Sequence, residues 1–288
     1  MEDRIDRKLL YTTTKIINHT LNGETKHSTG FLYNFTLHDG KIVRVVLTCK
    51  HCIKDYAKIE LLFCADDGKA NPIDLESYVL NFNIDSQEFI VYHKNKDCDV
   101  AALIFSYDTR LFISGNKQPF FLSLDKSLIP NPTQIDDLSY IEDVIMIGYP
   151  QGIWDDYNNK PIIRRGLTAT PLQLNFKGKP EFLVDLASFH GSSGSPVFIY
   201  NQTSYTTKNS IILGNRIYLL GIFYGGWEEV TGQTTTSKMS LCGTNETQIA
   251  KILLPNNLGF VLKSAVFEDM LPQIEEKIEN LIKHSNKD

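Results

Sequence analysis

No run of residues in this sequence is both long enough and apolar enough to cross a bilayer as a helix. The opening stretch, MEDRIDRKLLYTTTK, lacks the apolar core of a secretory signal, so the expectation is a cytoplasmic protein with no membrane partner. The Asn-x-Thr sequons at Asn18, Asn34, Asn201 and Asn245 then carry no glycosylation meaning. A basic excess is missing too: 29 Lys and Arg stand against 34 Asp and Glu. That balance removes the electrostatic basis for nucleic-acid binding. Cysteines are few and odd in number, namely Cys49, Cys52, Cys64, Cys98 and Cys242. In a reducing compartment such a set reads as free thiols, buried and inert rather than redox-active. Cys49-Lys50-His51-Cys52 has half the spacing of a structural zinc site, but no second ligand pair follows. Neither a metal nor an organic cofactor is expected. Internal repeats and low-complexity tails are also missing.

What is present is a strand-rich globular chain of 288 residues, 42% of them hydrophobic, which is ample for a buried core. Thr29–Phe35 and Lys41–Thr48 are rich in β-branched and aromatic residues and flank His38-Asp39-Gly40, a hairpin signal. Further strand-like runs include Lys58–Cys64, Glu88–Tyr92, Asp99–Phe105, Asp143–Ile147, Glu181–Leu186, Pro196–Ile199, Ile211–Tyr224 and Leu258–Leu262. Many short strands and few helices predict a barrel or a sandwich. Residues 108–142 suit a crossover between two halves, and Asn201–Asn209 and Glu228–Gln248 read as long surface loops. Val266, Leu271, Ile274, Ile278 and Ile282 mark an amphipathic C-terminal helix, which either packs on a barrel or binds a partner.

The densest chemical signal is His190-Gly191-Ser192-Ser193-Gly194-Ser195-Pro196. A nucleophilic serine must protrude from a tight turn, with backbone N–H groups converging on the oxyanion it creates. Glycines on both sides permit that turn. Ser193 is the candidate nucleophile, and the N–H groups of Gly191 and Ser193 are candidates for the oxyanion hole. The plain alternative is a Gly/Ser-rich loop. A serine needs a base. His51 follows a β-branched strand, as a barrel-rim residue would; His190 is the rival but sits where a pocket lining is expected. A base needs an acceptor to orient it. Asp99, at the mouth of the apolar run Val100–Phe105, is the candidate, with Asp97 as the alternative.

The order His–Asp–Ser in the contexts "LTCKHC", "DCDVAALIF" and "HGSSGSPVF" resembles the trypsin/chymotrypsin-like serine peptidase superfamily. The last context is similar to bacterial glutamyl endopeptidases, and Ser28-Thr29-Gly30-Phe31 to HtrA-like proteases. The resemblance runs from Ser28 to Ser264. It implies a mainly β fold of two antiparallel six-stranded barrels with the site between them, and a serine endopeptidase acting through an acyl-enzyme. On that reading residues 1–27 pack on the barrels, 28–264 form the peptidase domain and 265–288 the C-terminal helix.

The resemblance also assigns the substrate pocket. Ala187 stands at the family's specificity position and offers no carboxylate for Lys or Arg. Together with Ser188, Phe223 and the edge residue His190 it implies a small or apolar pocket. Tyr224, Gly225 and Gly226 lie in the strand that resembles the one pairing with substrate backbone. Ser192 replaces the aspartate of the digestive enzymes, which argues against activation by N-terminal clipping. The expected partners are a restricted protein or peptide substrate and a possible regulatory protein. The competing expectation is a silent or latent protease fold that serves as a binding module in a larger assembly.

Overall fold

The computed structural model describes residues 4–20, 22–54, 56, 58–83, 89–106, 118–239 and 245–285. Cys242 and part of the expected crossover lie outside the described residues. After a short helix α1 (Ile5–Leu9), the first half is β1 (Thr13–His19), β2 (Thr25–Thr36), β3 (Ile42–Thr48), the one-turn helix α2 (Lys50–Ile53), β4 (Lys58–Asp66), β5 (Pro72–Asn83), β6 (Ile90–Tyr92) and β7 (Ala101–Ser106). These strands lie in the order β5-β4-β1-β2-β3-β7-β6, with β8 (Pro119–Phe120) on β4 and β9 (Leu124–Asp125) on β2. The second half follows α3 (Pro132–Asp136). It comprises β10 (Asp143–Gly148), β11 (Ile162–Thr168), β12 (Glu181–Asp185), β13 (Pro196–Asn201), the hairpin of β14 (Ser204–Thr206) and β15 (Ile211–Leu213), β16 (Arg216–Met239) and β17 (Asn245–Lys263). Here β10-β11-β12-β17-β16-β13 form a closed six-stranded barrel.

The chain is therefore mainly β with one closed barrel, as the sequence leads one to expect. The first half departs from the expected six strands: it is a nine-stranded sheet among the described residues. β1 pairs with both β2 and β4, an interior place in the sheet. Its residues are buried on both faces, so the strand shows no polar alternation by which to recognise it. The stretch Glu228–Gln248, read as a loop, is largely an antiparallel backbone ribbon of β16 and β17. Asn201–Asn209 likewise contains β14.

Local rules account for the hairpin that leads to the site. Gly40 has φ +81°, the Leu37 N–H donates to the Lys41 carbonyl, and β2 and β3 pair from Thr36↔Ile42 to Phe31↔Leu47. The first core holds Phe31, Tyr33, Phe35, Leu47 and Leu103, and the second Phe182, Val184, Val197, Phe223 and Val261. The C-terminal helix α4 (Leu271–Ser285) buries Ile274 and Ile278 against the first core. The Gln273 side chain donates to the Tyr92 carbonyl at 2.8 Å, and Glu275 lies 2.6 Å from His38. Just before the helix, Phe267 packs 6.0 Å from the rings of Phe31 and Tyr33. The apolar stripe of α4 thus covers the back of the β2–β3 hairpin.

One ion pair lies wholly inside the second half. Arg216 Nη2 donates to Glu142 Oε2 at 2.7 Å, with the two side chains 5% and 6% exposed. Removing one member strands the other's charge in a low-dielectric interior. Glu142→Ala is expected to destabilise the fold by about 3 kcal/mol in urea titration. A loss below about 1 kcal/mol would show that water reaches the pair.

Candidate active site

Three segments from different parts of the fold meet between the halves. β3 ends at Thr48, and Cys49 is the N-cap of α2, which carries His51 on its first turn. Asp99 lies two residues ahead of β7, and Ser193 sits in the turn between β12 and β13. His51 is thus on a one-turn helix, and Asp99 just outside the strand it was expected to open.

The His51–Asp99 contact is short and doubled. His51 Nδ1 lies 2.5 Å from Asp99 Oδ2, and the His51 backbone N–H donates to Asp99 Oδ1 at 3.2 Å. This fixes the ring and leaves Nε2 free of the carboxylate. The Asp99 hydrogen bond, reinforced by Cys52 and opposed by burial, raises the His51 pKa to about 10. Burial disfavours the Asp99 carboxylate, but the His51 hydrogen bond and charge outweigh it and hold its pKa below the usual value. The rival acid Asp97 is instead a surface group, 3.8 Å from Lys179 and 66% exposed.

Backbone geometry holds the serine turn open. Gly191 and Gly194 both have φ +90°, a region that favours glycine. Thr29 clamps the turn from the first half: its N–H donates to the Ser193 carbonyl at 2.9 Å and its Oγ1 to the Gly191 carbonyl at 3.0 Å. The His190 carbonyl accepts from the Gln151 N–H at 2.5 Å, which in a trans peptide turns the Gly191 N–H to the opposite side. Among the described residues, the N–H groups of Gly191 and Ser193 have no hydrogen-bond partner. The Ser193 hydroxyl donates to the Tyr224 carbonyl at 3.3 Å, and His51 Nε2 lies 3.6 Å from Cys52 Sγ.

An open cleft of about 650 Å³ borders these groups, lined by His51, Cys52, His190, Gly191 and Ser193 and by Asn18, His27, Tyr56 and Gln151. The pocket residues read from the sequence divide. His190 lines this cleft, whereas Ala187 and Ser188 are not among its lining residues. The Ala187 carbonyl accepts from Arg164 Nη1 at 2.9 Å. Ser188 is buried and faces Gly226, where a Cβ would come within 3.2 Å of the serine hydroxyl oxygen. Phe223 is not exposed as a wall. It is 2% exposed, its ring fills the second core over Gly259, and a β-bulge separates it from Gly225. The Tyr224 hydroxyl is tied to Glu181. Thr29 stands inside the Ser28–Phe31 segment that carries part of the resemblance, and only the three-dimensional contact reveals its clamp.

Cys49, Cys52, Cys64 and Cys98 are buried free thiols. Cys49 and Cys52 lie close together beneath His51. Burial and the Cys52 thiolate raise the Cys49 pKa, whereas the Cys49 hydrogen bond and His51 lower that of Cys52.

The model of the trypsin-like peptidase domain family matches residues 28–205, more than half of the chain. The chain belongs to the trypsin-like peptidase family. No curated protein matches it in sequence. Solved structures similar to this trypsin-like chain include the HtrA-type protease AlgW with a tripeptide, at 13% identity and a TM-score of 0.45 over 92% of this chain. The match spans 62% of the AlgW chain. A thermostable serine protease, AL20, from an extremophilic microorganism is similar at 12% identity and a TM-score of 0.48, over 91% of this chain and 95% of that one. The protease Anisep from Arthrobacter nicotinovorans is similar at 14% identity and a TM-score of 0.44, over 88% of this chain and 90% of that one. No helix among the described residues is long and apolar enough to cross a membrane.

Proposed function

We propose that this trypsin-like chain is a cytoplasmic serine endopeptidase that cleaves a restricted protein substrate through Ser193, His51 and Asp99. The observation that carries the reading is the doubled His51–Asp99 contact beside a serine turn whose Gly191 and Ser193 N–H groups have no partner among the described residues. In this mechanism His51 Nε2 takes the Ser193 proton as Oγ attacks the peptide carbonyl, and Asp99 holds the tautomer. The Gly191 and Ser193 N–H groups receive the oxyanion. The imidazolium returns its proton to the leaving amine, and water hydrolyses the acyl-enzyme. The first sheet acts as the counterpart barrel, residues 28–264 as the peptidase unit, and α4 as its buttress. With no carboxylate at Ala187, Lys/Arg specificity is not expected; Ala187, Ser188, Gly225 and Gly226 leave room for a small or apolar side chain.

One observation favours a second reading, a latent or silent fold that acts through a partner. Ser193 donates to the Tyr224 carbonyl and has no hydrogen bond to His51. In the endopeptidase reading this is a resting state, and substrate pairing with Tyr224–Gly226 frees the hydroxyl.

A peptide library digested by the wild type and by His51→Ala decides between the readings. Cleavage at a narrow sequence class, lost in the variant, is the expected result; equal traces in both proteins would favour the binding module.

The raised His51 pKa has a sign that can be checked. The base works only when neutral, so kcat/KM should climb about tenfold per pH unit below that pKa. In buffer containing EDTA, the profile is expected to rise from about pH 6 towards pH 10. A plateau already reached near pH 7 would show that His51 titrates normally in the free enzyme.

A further inference from the structure

Read as a sequence, the Cys49–Cys52 pair lacks partners for a metal. The fold supplies the third ligand from within the pair. Cys49 Sγ, Cys52 Sγ and one ring nitrogen of His51 all lie within 4.8 Å of one another. His51 Nδ1 is taken by Asp99, so the nitrogen that faces the thiols is Nε2. A histidine held by a carboxylate through one nitrogen while the other meets a metal is the usual second layer of a zinc site. The spacing fits as well. With Zn–S about 2.3 Å and Zn–N about 2.0 Å, two ligands of one tetrahedral ion lie about 3.5 Å apart. Cys52 Sγ and His51 Nε2 are 3.6 Å apart.

Charge and access agree. Two thiolates and a neutral imidazole around a divalent ion sum to zero, which suits a pair of sulfurs that are 0% and 4% exposed by residue. Cys52 and His51 both line the open cleft, which gives the ion a route in and leaves its fourth position to water.

We propose that Cys49, Cys52 and His51 form a reversible inhibitory site for a thiophilic d10 cation, with zinc(II) as its natural class. This rests on the reading of His51 as the general base. Binding releases to solvent whatever protons the two sulfurs and Nε2 still hold, so that two thiolates and the Nε2 lone pair of a neutral imidazole meet the ion. The same lone pair must accept the Ser193 proton, so metal binding and hydrolysis exclude each other. No electron is transferred, and chelation restores the enzyme.

The test is cobalt(II) titration of the full chain, kept reduced with a phosphine. The wild type is expected to bind one cobalt with intense tetrahedral d–d bands and thiolate-to-metal charge transfer, both displaced by zinc. Ser193→Ala should keep the spectrum, whereas Cys52→Ser and the Cys49→Ser/Cys52→Ser double variant should lose it. Zinc inhibition of peptide cleavage should weaken by at least about 100-fold in Cys52→Ser, with EDTA reversing it in the wild type. An octahedral spectrum without charge transfer in the wild type would overturn the proposal, and that measurement needs no variant to fold. A spectrum retained in a folded double variant, or unchanged zinc inhibition of it, would also overturn the proposal. The cobalt spectrum does not depend on catalysis, so absence of hydrolysis would count against the peptidase reading alone.

Discussion

Ser193→Ala is expected to lower the rate of peptide cleavage by about 10⁴-fold or more while leaving the thermal midpoint almost unchanged. The two halves of this expectation have separate causes. The hydroxyl is the attacking atom of the proposed mechanism, and no neighbour replaces it: Ser195 is 0% exposed and Ser192 is likewise buried. Yet its one hydrogen bond among the described residues is a 3.3 Å contact with the Tyr224 carbonyl, which does little for folding. Steady-state cleavage and a melting curve on the same sample check both. Asp97→Asn is the companion control, because that exposed carboxylate lies outside the His51 contact. A loss from Asp97→Asn as deep as that from Asp99→Asn would reverse the assignment of the acid.

Gly194→Ala is expected to cost about 4 kcal/mol and to lower the melting midpoint by about 10 °C. Gly194 has φ +90°, and a Cβ there would sit 1.8 Å from the Thr29 carbonyl oxygen and 2.7 Å from Thr48 Oγ1. That carbonyl is already held by the Thr48 hydroxyl at 2.7 Å. Relief requires the first-half strand to move away from the serine turn. The Gly194 N–H bond to Phe223 and the Thr29 N–H bond to Ser193, at 2.8 and 2.9 Å, would be weakened together. Strain of the left-handed region adds about 1 kcal/mol, overpacking about 2 and the hydrogen bonds about 1. Gly178→Ala isolates the first contribution: its φ is +78° but no atom lies within 4 Å of the added methyl. Equal destabilisation by the two substitutions would show that the Thr29 contact contributes nothing. Proteins of ordinary stability tolerate only a few such losses, so the Gly194 variant should also lose activity at the temperature of assay.

The candidate site residues are legible in the sequence because the chemistry proposed for them demands particular neighbours. A tight turn needs Gly191 and Gly194, and Asp99 must stand at the mouth of an apolar strand. The Asp39-Gly40 hairpin was legible for the same reason, since a turn with φ +81° favours glycine. What stayed hidden depends on contacts between distant segments. β1 gives no alternating pattern because both of its faces are covered. The ribbon of β16 and β17 continues through a Thr-, Gly- and Ser-rich stretch with no apolar period to mark it. The sequence marks Phe223 as a pocket residue, but its ring is buried in the second core beside a β-bulge, and a bulge leaves no periodic signal to read. The Cys49–Cys52 pair was set aside for want of further ligands; the sequence cannot show that α2 and the Asp99 contact aim His51 Nε2 at the sulfur.

The central claim is that this fold carries a competent nucleophile at Ser193. Mass-spectrometric mapping of the adduct left by a fluorophosphonate probe on the folded, metal-free protein tests it most directly. The account predicts a single adduct on Ser193 that is lost in His51→Ala. A folded protein that takes no label, or takes label at another residue, would contradict it.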